Sequence, residues 1–209
     1  MIQILIVDDH AILRRGLKEI LEREFRDVSI GEAGTAEQAL TQLDSEKWDL
    51  VILDITMPGR SGVDVLRNLK ALRPKLPVLV LSMHPEDQYG KRVLKAGASG
   101  YMNKESAPEE LIKAVRKLLS GGRYVSETLA ETLAVDLGRD DGTPAHERLS
   151  DREFEVLRKM ASGKTVGQIA QELHLSVPTV STYRARILEK MGMSNTAELI
   201  RYALSHHLV

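Results

Sequence analysis

The 209-residue sequence contains no cysteine. Disulfides, thiolate metal sites and cysteine nucleophiles are therefore excluded, as suits a protein kept in a reducing compartment. A signal-peptide core or an N-terminal membrane span is absent too, because the opening Met1-Ile2-Gln3-Ile4-Leu5-Ile6-Val7 runs straight into Asp8 and Asp9. A strong charge excess is lacking: the formal net charge of -1 argues against a chain coated in nucleic acid over its whole surface. No fixed-period repeat or low-complexity tract occurs. The expectation is a soluble, cytoplasmic protein with no membrane partner.

What is present is ordinary globular material, 43% hydrophobic and 28% charged, in a length that suits one large or two modest domains. The charge is mildly uneven: residues 146–209 hold nine Lys/Arg against seven Asp/Glu, a net of +2 that leaves -3 for the remainder.

The first part alternates apolar runs with amphipathic stretches. Ile2–Val7 reads as a buried strand and Ala11–Glu24 as a helix, with Ile12, Leu13, Leu17, Ile20 and Leu21 as its apolar stripe. Strands are predicted at Val28–Glu32, Leu50–Leu53, Val78–Leu81 and Gly100–Met102. Helices are predicted at Ala36–Leu43, Val63–Leu72 and Asp87–Ala96, and from Pro108 to the Gly121-Gly122 stop. Five strand–helix pairs in this order predict an α/β fold, a five-stranded parallel sheet doubly wound by helices, with functional groups in loops at the strand carboxyl ends. Asp8, Asp9, Asp54, Ser82 and Lys104 all fall at that edge. A helix over Ser126–Leu137 and the turn-rich Gly138-Arg139-Asp140-Asp141-Gly142-Thr143-Pro144 follow, so an interdomain linker is placed at 123–145. From Ser150 onward only helical patterns appear, predicting a small all-α domain over 146–209 after a first domain over 1–122.

Three carboxylates brought to one sheet edge repel one another and require compensation. A hard divalent cation such as Mg2+ supplies it while leaving coordination room for phosphate, and Lys104 adds a positive charge. A carboxylate so placed attacks phosphorus and becomes an aspartyl phosphate, with Asp54 the best-placed nucleophile. Any one of these acids alone is an ordinary turn residue or helix cap; the joint placement of Asp8-Asp9, Asp54, Ser82 and Lys104 after four different strands is the signal. His10 and His84, beside the crevice, have no second histidine at ligand spacing and read as solvated loop residues.

Val7-Asp8-Asp9-His10, Leu53-Asp54-Ile55-Thr56-Met57-Pro58-Gly59, Leu81-Ser82 and Gly100-Tyr101-Met102-Asn103-Lys104 resemble the motifs of a receiver domain, over roughly residues 1 to 122. The resemblance implies a flavodoxin-like fold and makes Asp54 the phosphoacceptor. It gives Mg2+ to Asp9 and Asp54 with help from Asp8 and the Thr56 carbonyl, sets Lys104 on the phosphoryl group, and makes Ser82 and Tyr101 a switch pair. In that switch the Ser82 hydroxyl moves to a phosphate oxygen and the Tyr101 ring enters the space it leaves.

In the second part, Leu149-Ser150-Asp151-Arg152-Glu153 has the form of a capping box. A helix starting near Thr165, the turn Leu173-His174-Leu175-Ser176 and a longer helix give helix-turn-helix spacing. The second helix of such a unit enters the major groove by its N-terminal side. Here it is Thr179–Lys190, with Val180, Ile187 and Met191 facing inward. Thr179, Ser181, Thr182, Arg184, Ala185, Arg186 and Lys190 are the candidate DNA contacts. Leu149–Leu157, Ile169-Ala170, Leu175-Ser176, Thr179-Val180, Lys190-Met191-Gly192 and Asn195–Leu199 resemble the LuxR-type DNA-binding domain. Nearly the whole chain is thus similar to NarL/FixJ response regulators. Val166, Ser181 and Tyr183 depart from residues common in that family, which leaves base preference unreadable.

The resemblance implies a sensor histidine kinase or small phosphodonor as input, double-stranded DNA as target, and a phosphorylation-dependent homodimer paired through the last helix, Thr196–His206, by Leu199, Tyr202 and Ala203. No enzyme activity is expected beyond the receiver's own phosphotransfer and dephosphorylation. Three rival readings stand beside this one. A haloacid-dehalogenase-like phosphatase would also use an aspartate nucleophile, but its Asp-x-Asp pattern fails at Thr56. A flavin site would need a hydroxyl- and glycine-rich cradle where this chain has Asp8-Asp9-His10. A regulator independent of phosphate would keep the same acidic pocket.

Overall fold

The computed structural model describes residues 1–57, 62–83, 86–106, 108–137 and 144–209. The chain divides into two compact units, Met1–Arg139 and Asp140–Val209.

The first unit is built on five strands: β1 (Ile2–Val7), β2 (Val28–Ala33), β3 (Leu50–Asp54), β4 (Val78–Ser82) and β5 (Gly100–Asn103). They form one sheet in the order β2-β1-β3-β4-β5, and every named pairing is parallel. All five residues of β3 and all five of β4 are buried, as the unbroken apolar runs of a sheet covered on both faces require. Alternate positions along each strand serve opposite faces. Ile4, Ile6, Leu50, Ile52, Leu79 and Leu81 pack with Leu17 and Leu21 of α1 (Ala11–Glu24) and Leu111, Val115 and Leu118 of α5 (Pro108–Leu119). The helices α2 (Ala36–Ser45), α3 (Gly62–Leu72) and α4 (Glu86–Lys95) contact β2, β3 and β5 respectively. One residue of the expected α1 stripe differs: Ile12 is 91% exposed, and Leu13, Leu17 and Leu21 carry the packing instead.

Two glycines permit close approaches. A Cβ at Gly62 would lie 2.4 Å from both the Asp54 carbonyl oxygen and Ile55 Cα, so only glycine lets α3 begin directly under the end of β3. A Cβ at Gly90 would lie 2.7 Å from Leu129 Cδ2, where α6 (Glu127–Leu137) presses on α4. Just before α6, Tyr124 bridges to Gly100, accepting from the Tyr101 N–H at 3.1 Å and donating to the Ser99 carbonyl at 3.0 Å. Residues 124–137 therefore lie with the first unit.

The second unit holds a 3-10 turn (Ala145–Arg148) and helices α7 (Asp151–Ala161), α8 (Val166–Glu172), α9 (Val177–Met191) and α10 (Thr196–Ser205). Each helix has a side-chain cap. Ser150 and Glu153 form the expected capping box on α7, and Thr165 and Gln168 form a second on α8. Ser176 caps α9 and Asn195 caps α10, while Gly192 closes α9 in the left-handed conformation. Phe154, Leu157, Ile169, Val180, Ile187, Leu199 and Ala203 make the core. Among the described residues no helix is long and apolar enough to cross a membrane.

Candidate functional site: an acidic crevice and an exposed helix

Strand register assembles the crevice. Val7 pairs with Leu53, so Asp8 and Asp54 leave neighbouring strands side by side; Asp54 pairs with Leu81, and Ser82 with Asn103. Lys104, one residue past β5, donates its backbone N–H to the Ser82 carbonyl at 2.9 Å, and this fixes where its side chain starts.

Lys104 Nζ lies 2.6 Å from Asp8 Oδ2 and 2.7 Å from Asp54 Oδ2. All three groups are enclosed: the side chains of Lys104, Asp8 and Asp54 are 6%, 2% and 0% exposed. The other Asp54 oxygen, Oδ1, accepts the Thr56 N–H at 2.8 Å. Asp8 Oδ1 accepts the His10 N–H at 2.8 Å, and Arg14 Nη1 donates to the Asp8 carbonyl at 2.6 Å. Burial raises the pKa of Asp54, against the pull of Lys104 and the Thr56 N–H. Burial works against the Lys104 ammonium, but its hydrogen bonds to Asp54 and Asp8 outweigh that and hold its pKa above the ordinary lysine range.

One lysine is not enough for this many acids. Asp8, Asp9, His10 and Asp54 each offer a ligand atom, and those atoms lie within 4.8 Å of one another. Asp9 Oδ1 is buried and accepts no hydrogen bond, although His10 Nδ1 lies 3.0 Å away. A set of hard oxygens with one left unsatisfied fits a small divalent cation. His10, read as a solvated loop residue, is one, its side chain 66% exposed; what the sequence does not show is that its Nδ1 lies 3.0 Å from Asp9 Oδ1 and 3.1 Å from Asp8 Oδ1. His84 lies outside the described residues, as do Pro58 and Gly59. Ser82 is fully buried, and Tyr101 is enclosed at 1% exposure.

On α9, Val180, Ile187 and Met191 are buried as expected, and Thr182, Arg184, Ala185 and Arg186 are exposed. Thr179 and Ser181 are half-buried. Lys190, another candidate DNA contact, is exposed and pairs with Glu153 Oε2 at 2.7 Å. Two residues expected in subunit pairing are closed off: Leu199 and Ala203 are 0% exposed because α10 packs that face on α7 within its own unit. Tyr202 is half-buried, its hydroxyl 3.0 Å from His146 Nδ1 and its ring stacked on His206. A large apolar side chain of α10 that stands exposed is Leu204, at 55%.

The doubly wound sheet with a lysine bridging two carboxylates at its carboxyl edge defines a receiver module, and the capped four-helix unit a helix-turn-helix module. Residues 4–116 match the response regulator receiver domain, and residues 147–203 match the bacterial regulatory proteins of the luxR family. The chain belongs to the response regulators of two-component systems, in the NarL/FixJ group that joins a receiver to a LuxR-type DNA-binding domain. It is 32% identical to the response regulator UvrY of Escherichia coli K12, over 100% of this chain and 96% of that one. It is 34% identical to the response regulator GacA of Pseudomonas aeruginosa, over 100% and 98%. Among solved structures, it superposes on Salmonella enterica serovar Typhimurium RcsB bound to a promoter in the presence of a phosphomimetic, with a TM-score of 0.60, 29% identity and coverage of 96% and 97%.

Proposed function

We propose that Asp54 accepts a phosphoryl group from a sensor histidine kinase or a small phosphodonor, and that this modification controls DNA binding by the second domain. The observation that carries the reading is the shared ammonium: Lys104 sits between Asp8 and Asp54, already placed to meet a negative oxygen on a group transferred to Asp54. Asp54 Oδ1 keeps its hold on the Thr56 N–H, so the carboxylate stays oriented while its other oxygen serves as nucleophile. Asp9 and Asp54, with Asp8 and the Thr56 carbonyl, hold Mg2+, which when bound offsets charge on the transferring oxygens. The same residues support the receiver's own phosphotransfer and its later dephosphorylation. Ser82 and Tyr101 relay the change, since both lie on strands adjoining the site.

The functional division we propose is a receiver over 1–122, a connecting segment over 123–145 whose residues 124–137 pack on the receiver, and a DNA-binding domain over 146–209, working in the cytoplasm. Thr182, Arg184, Ala185 and Arg186 are the exposed α9 residues offered to double-stranded DNA, with Arg side chains suited to phosphates and guanine edges alike. A homodimer on two half-sites pairs through the outer face of α10, around Leu204, in place of the enclosed Leu199 and Ala203. The promoter complex of RcsB supports the DNA-binding part of this reading by likeness.

Intact mass spectrometry after incubation with acetyl phosphate and Mg2+ tests the central step. One phosphoryl adduct is expected on the wild type and none on Asp54→Ala or without metal. An adduct that survives Asp54→Ala would overturn the reading.

A further inference from the structure

Asp8 and Asp9 are joined by one planar peptide unit, so the tilt of that unit sets the direction from which each carboxylate enters the crevice. The last hold of β2 on this stretch is the Asp8 N–H, which donates to the Ala33 carbonyl at 3.1 Å. Beyond it, the Asp8 carbonyl, half of the peptide unit itself, accepts Arg14 Nη1 at 2.6 Å. Arg14 also donates its backbone N–H to the His10 carbonyl at 3.1 Å. One residue near the start of α1 thus grips the loop at both ends. Its side chain is 18% exposed, with Nε 3.6 Å from Glu32 Oε2 on β2, while Lys18 Nζ lies 3.4 Å from Glu32 Oε1. The backbone at Gly34 passes so near that an added Cβ would touch Nη1 at 3.4 Å. Three parts of the receiver therefore enclose the guanidinium, and its shortest hydrogen bond goes to the peptide between two acids of the crevice.

We infer that Arg14 is a positioning residue for the divalent cation: it fixes the Asp8–Asp9 peptide, and so keeps both carboxylates turned into the crevice, without touching the ion. The inference rests on the reading of Asp8, Asp9 and Asp54 as a cation site. Two plainer roles for Arg14 lead to different results. As a contact that only supports the fold, its loss lowers stability and leaves the affinity of the folded chain for Mg2+ unchanged. As a bare positive charge it repels a cation, so its loss tightens Mg2+ binding. Positioning has the opposite sign, because carboxylates free to swing must be ordered when the ion binds. Residues that orient metal ligands are worth roughly 10- to 100-fold in metal affinity.

The test is urea unfolding of the full chain over a series of Mg2+ concentrations, followed by the fluorescence of Trp48. Trp48 is the chain's one tryptophan and is buried in the first unit, so the signal reads the receiver. The growth of stability with free Mg2+ gives the Kd of the folded state, separately from the stability without metal. Arg14→Met is expected to raise that Kd about tenfold. Arg14→Gln, which keeps a polar side chain but removes the guanidinium, should do the same and carries the test if Arg14→Met does not fold. Glu32→Gln disturbs the same contact between α1 and β2 yet leaves the donor on the Asp8 carbonyl, and should keep the wild-type Kd. An unchanged or lower Kd in the folded Arg14 variants overturns the inference. Equal weakening in Glu32→Gln overturns it too, since general loosening of that contact then accounts for the effect. A wild type that Mg2+ does not stabilise fails at the earlier step, the cation site itself, and takes this inference with it.

Discussion

Each unit of the molecule contains a lysine ammonium about one hydrogen bond from a nearly buried carboxylate, and the two pairs have opposite meanings. Lys190 meets Glu153 at 2.7 Å, and Glu153 also accepts the Ser150 N–H at 2.7 Å, so charge and hydrogen bonds close on themselves. Burial opposes the Glu153 charge, but Lys190 and the Ser150 N–H outweigh it and hold its pKa below the ordinary glutamate range. Lys104 meets Asp54 at the same 2.7 Å, yet Asp8 shares that ammonium and Asp9 stands beside them with only the His10 ring nearby, 3.0 Å from its Oδ1. Distance does not separate a structural ion pair from a reactive one. The surplus of like charge does: a balanced pair locks a helix start, and an unbalanced one asks for a cation or a phosphoryl group.

Breaking the unbalanced side should have the larger effect. Lys104→Ala leaves two buried carboxylates facing each other and is expected to lower the stability of the first unit by about 3 kcal/mol in metal-free buffer. Added Mg2+ should recover part of that loss, since a ligand bound only by the folded state stabilises it. Urea unfolding with and without Mg2+ measures both. A loss that Mg2+ leaves untouched would mean the acids do not share a cation site.

On the balanced side, Glu153→Ala removes a capping-box acceptor and the partner of a half-exposed lysine, a cost of about 2 kcal/mol in the second unit. Glu153→Gln, which keeps an acceptor for the Ser150 N–H, should lose about half as much. Thermal unfolding of the two variants sharpens the comparison. Equal losses would make the ion pair, and not the cap, the dominant interaction.

The smallest effect belongs to Glu172, whose pKa is lowered to about 2 by hydrogen bonds from Lys159 and Lys164 at the surface. Because its folded pKa lies below its ordinary 4.5, its contribution is present above pH 4.5 and is lost as pH falls towards 2. Glu172→Gln should therefore flatten the acid limb of the second unit's stability profile and change little at neutral pH. A steepened acid limb would contradict the pairing.

The sheet and the crevice were readable because their signals are one-dimensional. An apolar run such as Leu50–Leu53 followed by an acid fixes both a buried strand and the edge at which Asp54 emerges. Side-chain rotation is not written that way. Nothing in Asp8-Asp9-His10 announces that the imidazole folds back over both aspartates. The face of a helix was the other hidden quantity. In α10, Leu199, Ile200, Tyr202, Ala203 and Leu204 spread apolar character around much of the circumference, so the pattern alone does not say which face meets α7 and which meets solvent. Ile12 misled for the same reason, being apolar within a helical stripe and yet 91% exposed.

The bridge at Tyr124 has a consequence for how the receiver behaves in crowded solution. β5 is a border strand, and unpaired amide groups along such a border are a template on which further chains can stack. By occupying the Ser99 carbonyl and the Tyr101 N–H, the backbone of Tyr124 takes the first rungs of that template out of use. A fragment cut after Gly122 would keep every residue of the acidic crevice and lose this guard, trading a tidy border for one open to self-association.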